Sequence, residues 1–242
     1  MMLFPSIYLL SGNHYGLHQN VYAFDIPQEN KLVLFDTGLD EEDLKVMQET
    51  MRTWGLENRT VSQVFLTHAH FDHSGNAYYF QKAGARIYAG REDAAGIEAG
   101  NERTISYSYS KAFPACPITQ ALKDLDEVPV TDTIRIKCYH VPGHTEGSMA
   151  YELKLKEQVI LFTGDFLQVD MNSPKAVLGI RVGEDYDYQK YKLSLKRMTG
   201  VKCDILLGGH FEPCMKDGYR YLNEAYREIL VNRDKYWGSY EL

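Results

Sequence analysis

The stretch Thr67-His68-Ala69-His70-Phe71-Asp72-His73 places four potential metal ligands within six residues. Residues 61–67 are rich in β-branched and apolar side chains, which predicts a buried strand. Residues 76–82 predict the start of a helix. The ligand string therefore lies at a strand-to-helix turn. Because His68 and His70 are two residues apart, both imidazoles project to the same side of an extended backbone.

Asp72 and His73 follow in the tightening turn, where a second ion can be held close to the first. Imidazole nitrogen and carboxylate oxygen suit zinc, iron or manganese. The string contains no cysteine, which argues against a closed structural zinc site. These residue types at this spacing predict a hydrolytic centre with two metal ions.

Three later segments each follow a strand-like run, contain glycine, and offer one further ligand. Glycine allows the backbone to approach closely, which an ion site needs. The segments are Val141-Pro142-Gly143-His144-Thr145, Thr163-Gly164-Asp165 and Gly208-Gly209-His210. With the first string they supply five histidines and two aspartates. This set is enough for two ions that share a carboxylate and keep open positions for water.

The ligand set, in this order, resembles that of the metallo-β-lactamase superfamily, and the resemblance covers nearly the whole chain. It implies an α/β (α+β) fold, a four-layer αββα sandwich with a dinuclear site between the two sheets. By the same resemblance the first metal would be held by His68, His70 and His144, the second by Asp72, His73 and His210, and both by a bridging Asp165. Asp36, in the turn Asp36-Thr37-Gly38, would orient a ligating histidine.

The resemblance further implies a glyoxalase II-like, metal-dependent hydrolase that attacks a thioester, ester or lactone carbonyl with a hydroxide bridging two ions. Zinc is the predicted metal, with iron or manganese as alternatives. Asp72 is the predicted catalytic residue, because its carboxylate can orient the hydroxide and take a proton as the intermediate collapses. The bridging Asp165 disfavours a true β-lactamase, since those enzymes have cysteine or serine at the corresponding place.

Several alternatives share this scaffold. An acyl-homoserine-lactone-type lactonase would use the same metal set, although Gln168 stands where those enzymes typically carry a tyrosine. A persulfide dioxygenase-like enzyme would use one iron, held by two histidines and one aspartate. A phosphodiesterase or ribonuclease, and a noncatalytic metal-binding protein, rank below these.

The pattern predicts one domain over residues 1–242. A lid insertion is predicted at 101–127, because residues 104–119 break periodicity and contain aromatic residues and prolines. Tyr107 and Tyr109 of this segment are candidate pocket residues. His14 and His18, in the predicted first hairpin loop, are candidates as well. Ordinary packing is the competing interpretation for the tyrosines, and a solvated loop position is the competing interpretation for the histidines.

The composition of the chain indicates which classes of partner and which cellular compartment to expect. The net charge of -7 and pI near 5.6 disfavour a nucleic-acid partner, which would require clustered Lys and Arg. No apolar stretch approaches the roughly 20 residues of a membrane span. Four scattered cysteines predict reduced thiols and a cytoplasmic location. We therefore expect a small-molecule substrate, with the oligomeric state left open.

Overall fold

Two β-sheets lie at the centre of the fold. The computed structural model describes residues 1–172 and 175–232. Within these ranges the first sheet has seven strands, in the order of the sequence. They are β1 (Met2–Phe4), β2 (Ile7–Ser11), β3 (Val21–Ile26), β4 (Lys31–Phe35), β5 (Thr60–Phe65), β6 (Arg86–Gly90) and β7 (Gln120–Leu122). The strands from β1 to β4 pair antiparallel, and those from β4 to β7 pair parallel.

The second sheet has the order β14-β11-β10-β9-β8 within the described ranges, and β14 pairs parallel with β11. Its strands are β8 (Glu127–Pro129), β9 (Arg135–His140), β10 (Met149–Leu155), β11 (Gln158–Gly164) and β14 (Ile205–Gly208). A small hairpin of β12 (Gln168–Asp170) and β13 (Lys175–Val177) follows β11.

Helices cover the outer faces of both sheets. On the first sheet they are α1 (Glu41–Thr53), α2 (Phe71–Ser74), α3 (Ala77–Lys82) and α4 (Arg91–Ala99). On the second sheet they are α5 (Tyr188–Met198) and α6 (Tyr219–Val231). The side chain of Asp40 caps α1 by accepting a hydrogen bond from the backbone N–H of Glu42 at 2.9 Å. The predicted αββα sandwich is confirmed.

The continuous apolar run of β4 follows from its position between two buried layers. Val33 and Phe35 pack in the core between the sheets, whereas Leu32 and Leu34 pack in the core beneath the helices. Because successive side chains of a strand point to opposite faces, both faces of β4 must be apolar. The ring of Phe35 stacks on Phe162 of the second sheet, with centroids 3.5 Å apart. This contact fixes the spacing of the sheets near the ends of their strands.

The ligand string differs slightly from its predicted local structure. The strand β5 ends at Phe65 rather than at residue 67, because Thr67 turns its backbone N–H to the carboxylate of Asp36. Asp72 and His73 lie within the single turn of α2, where the sequence predicts a tightening turn. In the described ranges, no helix reaches the length and apolar character that crossing a bilayer requires. All four cysteines are buried free thiols.

The segment predicted as a lid insertion, 101–127, is partly incorporated into the sheets. Residues 120–122 form β7, and Glu127 begins β8. Short 3-10 turns cover Glu102–Thr104 and Ser106–Tyr109. The parts outside the strands are therefore 101–119 and 123–126, and the action of the segment as a lid stays a prediction.

Candidate metal centre

The ends of four strands meet at one edge of the sandwich and bring the seven predicted ligands together. The ligand string follows β5, His144 follows β9, Asp165 follows β11 and His210 follows β14. Close packing against the ligand side chains explains the glycine before His210. A Cβ on Gly209 would lie 2.5 Å from Cε1 of His73 and 2.8 Å from Oδ1 of Asp165, so no larger residue fits.

The ligand atoms form overlapping groups. One atom each from His68, His70 and His144 lie within 4.8 Å of one another, and the same limit holds for Asp72, His73 and His210. His68, His73 and Asp165 form a further such group. Six of these seven side chains are buried, and His210 is partly exposed. The structure therefore assembles the two sets of ligands that the sequence predicts, with Asp165 beside both.

The first group, His68, His70 and His144, has the character of a cation site. Burial holds the pKa of all three histidines below the ordinary value, so the rings are neutral and keep a free lone pair. Nε2 of His68 is buried without a hydrogen-bond partner, and Nδ1 of His70 lies 3.1 Å from Nε2 of His144. Buried polar atoms of this kind are costly unless something satisfies them. Neutral imidazoles at this spacing fit a divalent metal ion.

The second group, Asp72, His73 and His210, places carboxylates beside histidines. Its histidines therefore have raised pKa values, whereas those of the first group are lowered. Burial lowers the pKa of His210, but the nearby Asp165 and Asp72 outweigh it and raise that pKa to about 10. Burial acts the same way on His73, where Asp72, Asp165 and Asp36 raise the pKa well above its usual value. The carboxylates in turn have pKa values well below the usual range, although burial alone would raise them. A cation is therefore favoured here, either a proton or a divalent ion.

The raised pKa of His210 predicts a pH dependence for the metal-free protein. A folded pKa of about 10 lies above the unfolded value of about 6.5, so the protonated ring stabilises the fold below pH 6.5. This contribution is lost as the pH rises from about 6.5 to about 10. We expect urea unfolding of the chelator-treated protein to give a lower free energy of unfolding at the alkaline end. The decrease in the free energy of unfolding between neutral and alkaline pH should be smaller in His210→Gln than in the wild type. An equal decrease in both proteins would contradict the raised pKa of His210.

Asp36 orients the second group without belonging to it. Its Oδ2 accepts hydrogen bonds from Thr67 Oγ1 at 2.8 Å and from His73 Nδ1 at 2.9 Å, while its Oδ1 accepts from the Thr67 N–H at 2.7 Å. Asp36 has φ of 61°, a left-handed conformation that aspartate tolerates better than most residues. The backbone carbonyl of His18 similarly accepts from His210 Nδ1 at 2.8 Å. Both contacts leave Nε2 of the histidine aimed at the centre.

Asp93, at the start of α4, is a site residue that the sequence reasoning missed. Its carboxylate is fully buried and accepts hydrogen bonds at 2.8 Å from the N–H of Ala69, the N–H of Gly147 and the hydroxyl of Thr145. Asp93 thereby ties the loop of His68 and His70 to the loop of His144. One signal was available, because Asp93 also follows a strand that ends in glycine, as the predicted ligands do.

Asp93→Ala is expected to lower the free energy of unfolding by about 3 kcal/mol, because three buried donors lose their acceptor. The same variant should bind the first metal ion more weakly, since the two loops lose their common brace. Urea unfolding and metal titration measure the two effects. Asp93→Asn keeps one acceptor oxygen and should show a smaller change. A loss below about 1 kcal/mol in the alanine variant would contradict the bracing role.

The four predicted pocket residues lie in different places. His18 lines a cavity of about 260 Å³ that opens on Asp165 and His210. Tyr109 lies near Asp72, and burial together with that carboxylate raises the tyrosine's pKa. His14 instead pairs with Glu212 at 2.6 Å. Tyr107 is 59% exposed and lines a separate cavity of about 490 Å³.

The cavity at Asp165 and His210 has further walls that the sequence reasoning did not assign. Its lining residues are Asn13, His18, Asp165, Gln168, Val177, Leu178, Gly179, Ile180, His210 and Phe211. The segment 177–180 joins it only through the tertiary fold, because it begins at the last residue of β13 and carries no ligand motif. The cavity combines apolar walls with ligand atoms at its base.

Comparison with known proteins relates this arrangement to a family. The model of the metallo-beta-lactamase superfamily matches residues 14–210. The probable metallo-hydrolase YflN of Bacillus subtilis is 24% identical over 225 residues, which cover 83% of each chain. A hydroxyacylglutathione hydrolase of Polaromonas is 29% identical over 147 residues, covering 60% of this chain and 46% of that protein.

A solved structure of similar fold is BJP-1, a subclass B3 metallo-beta-lactamase of Bradyrhizobium japonicum. It superposes with a TM-score of 0.72 at 22% identity, covering 96% of this chain and 94% of that one. At this identity the likeness shows the shared fold. The resemblance that the ligand order indicates is thereby confirmed by both sequence and structure.

Proposed function

The chain belongs to the metallo-beta-lactamase superfamily, and from that premise we propose that it hydrolyses a thioester, ester or lactone carbonyl with two divalent ions, zinc in the first place. The family membership and the histidine and aspartate cluster support a metal-dependent hydrolase. The number of ions, their identity and the bond that is cleaved are the proposed part.

The observation that carries the proposal is the position of the Asp165 carboxylate. Its Oδ1 lies 3.3 Å from Nε2 of both His73 and His210, and its Oδ2 lies 3.6 Å from Nε2 of His144. One carboxylate thus reaches ligands of both groups through different oxygens. Such a shared ligand is suited to two ions a few Å apart, the arrangement of two-metal hydrolases.

Bound divalent ions would supply a water of lowered pKa and polarise the carbonyl oxygen of the substrate. The chain's own residues supply the positioning. Asp72 lies 3.4 Å from Nε2 of His210 and is 9% exposed, so its carboxylate reaches the edge of the cavity. Because its pKa is well below the usual range, Asp72 stays ionised and can orient an attacking water by accepting a hydrogen bond. Tyr109 keeps its hydroxyl proton beside it.

The cavity favours an acyl compound without a negative charge near the reacting carbonyl. Val177, Leu178 and Ile180 give it apolar walls, and within residues 1–172 and 175–232 its lining contains neither lysine nor arginine. The described residues of the lining include no serine, threonine or cysteine, and an attacking water is the nucleophile that we propose for this site. The relative named a hydroxyacylglutathione hydrolase supports a thioester, although this chain spans about half its length.

A lactone is the second candidate. The apolar walls of the cavity suit a neutral ring, and opening a lactone is the same attack on a carbonyl. Gln168, which lines the cavity, takes the place where the predicted lactonase pattern has a tyrosine, so any lactonase here would position its substrate differently. The remaining alternatives have no comparable observation in their favour.

Elemental analysis and turnover measured on the same purified sample test the proposal. The substrates are S-lactoylglutathione, a neutral acetyl thioester, an acyl-homoserine lactone and a chromogenic cephalosporin. We expect close to two metal ions per chain and turnover of a thioester or lactone. Loss of turnover on chelation and its return with zinc would support metal dependence. One iron per chain without hydrolysis would contradict the proposal, and cephalosporin as the best substrate would contradict the substrate class.

A further inference from the structure

A buried glutamine contacts the carboxylate that the two ligand groups share. Gln168, the first residue of β12, is 4% exposed, and its Nε2 donates a hydrogen bond to Oδ1 of Asp165 at 2.7 Å. The same Oδ1 is the oxygen that lies 3.3 Å from Nε2 of His73 and of His210. The other oxygen, Oδ2, faces His144. The amide therefore holds the carboxylate on the side of the second group.

The hydrogen bond from Gln168 fixes the orientation of the Asp165 carboxylate, which the aspartate side chain does not fix by itself. The terminal torsion of an aspartate side chain is broad and nearly two-fold, so the carboxylate plane is not fixed by its own rotamer. A carboxylate oxygen has two lone pairs, so Oδ1 can accept from Gln168 and still ligate an ion. The hydrogen bond thus fixes the plane of Asp165 without blocking it.

The position of Gln168 is itself fixed by packing. A Cβ on Gly208 would lie 2.9 Å from Cα of Gln168, so the backbones of β14 and β12 are in close contact. The hydroxyl of Tyr191 donates to the carbonyl of Phe166 at 2.6 Å and holds the turn between Asp165 and Gln168. An amide on such a rigid support can orient its neighbour rather than follow it.

We propose that Gln168 is a positioning residue that holds Asp165 as the bridging ligand and thereby sets the affinity for the second divalent ion. The inference rests on the proposed two-ion site, and it is independent of which carbonyl compound is hydrolysed. Outer partners of metal ligands typically contribute tenfold to a hundredfold to metal affinity.

Stepwise metal binding to the chelator-treated protein tests the inference without any substrate. Zn²⁺ is titrated in competition with a chromophoric chelator into the wild type and Gln168→Met, which keeps the length of the side chain and removes the N–H. We expect the second dissociation constant to rise about tenfold to a hundredfold and the first to change less than about threefold. Gln168→Leu is the second variant, and far-UV circular dichroism shows that each variant is folded.

Gln63→Met is the matched control. Gln63 is also a buried glutamine, with its Nε2 bonded to Tyr88 and to the Pro129 carbonyl at 3.1 Å, away from the ligands. It should leave both dissociation constants unchanged, so an equal shift in this control would show a general effect of lost stability and overturn the inference. A second constant that stays within threefold of wild type in folded Gln168 variants would overturn it too. A wild type that binds a single ion would overturn the two-ion site, whereas two ions without turnover would overturn only the proposed hydrolysis.

Discussion

Asp165→Ala is expected to remove at least one of the two proposed metal ions and nearly all turnover, roughly a thousandfold or more, because electrostatic stabilisation at the centre is usually the largest catalytic term. The carboxylate contacts ligands of both groups through different oxygens. Its loss also removes the charge that raises the pKa of His210. Metal content by elemental analysis and kcat with the best substrate measure the two effects on one sample.

The matched control is Asp217→Ala, which removes a surface carboxylate that pairs with Arg220 at 3.6 Å. It should leave metal content and turnover within a factor of two of wild type, because exposed ion pairs contribute little. Two ions and full turnover in Asp165→Ala would contradict the bridging assignment. Asp165→Ala could lose its ions because a ligand is missing or because the protein unfolds. Urea unfolding of the metal-free variant and the metal-free wild type distinguishes these two causes.

Much of the metal centre could be predicted because the local sequence pattern indicates each ligand. The spacing of His68 and His70 follows from the period of an extended backbone, and His144, Asp165 and His210 each stand next to glycine where a strand ends. The αββα fold was predicted from the resemblance of this ligand set to the metallo-β-lactamase superfamily, whose model matches residues 14–210. Local pattern was sufficient wherever a histidine or aspartate stands beside glycine at the end of a strand.

The rest depends on partners that are distant in sequence. Asp93 looks like an ordinary residue of the first helical turn, and its role arises from donors in two other loops. His14 was a pocket candidate by its position in the loop, yet it is paired with Glu212. Gln168 differs from the lactonase pattern in sequence, and its contact with Asp165 depends on the turn that follows β11. Side-chain direction and pairing of this kind are set by tertiary packing, which periodicity does not encode.

Asp72→Asn is expected to lower kcat by about a hundredfold to ten-thousandfold, the usual range for a group that takes part in proton transfer. The substitution keeps the shape of the side chain and removes the charge that would orient the attacking water. Oδ2 of Asp72 also lies 3.5 Å from Nε2 of His73, so the affinity for the second ion should fall as well. Turnover must therefore be measured over a series of zinc concentrations, up to saturation.

The zinc series separates the two roles of Asp72. A kcat that returns to within tenfold of wild type at saturating zinc would show that Asp72 is a ligand only and would contradict its catalytic role. Asp43→Asn is the control for loss of a buried carboxylate, since Asp43 accepts a hydrogen bond from Ser11 at 2.7 Å outside the metal centre. That control should lower stability while kcat at saturating zinc stays near wild type. A low kcat in Asp72→Asn with both ions bound would place the missing charge at the reacting water.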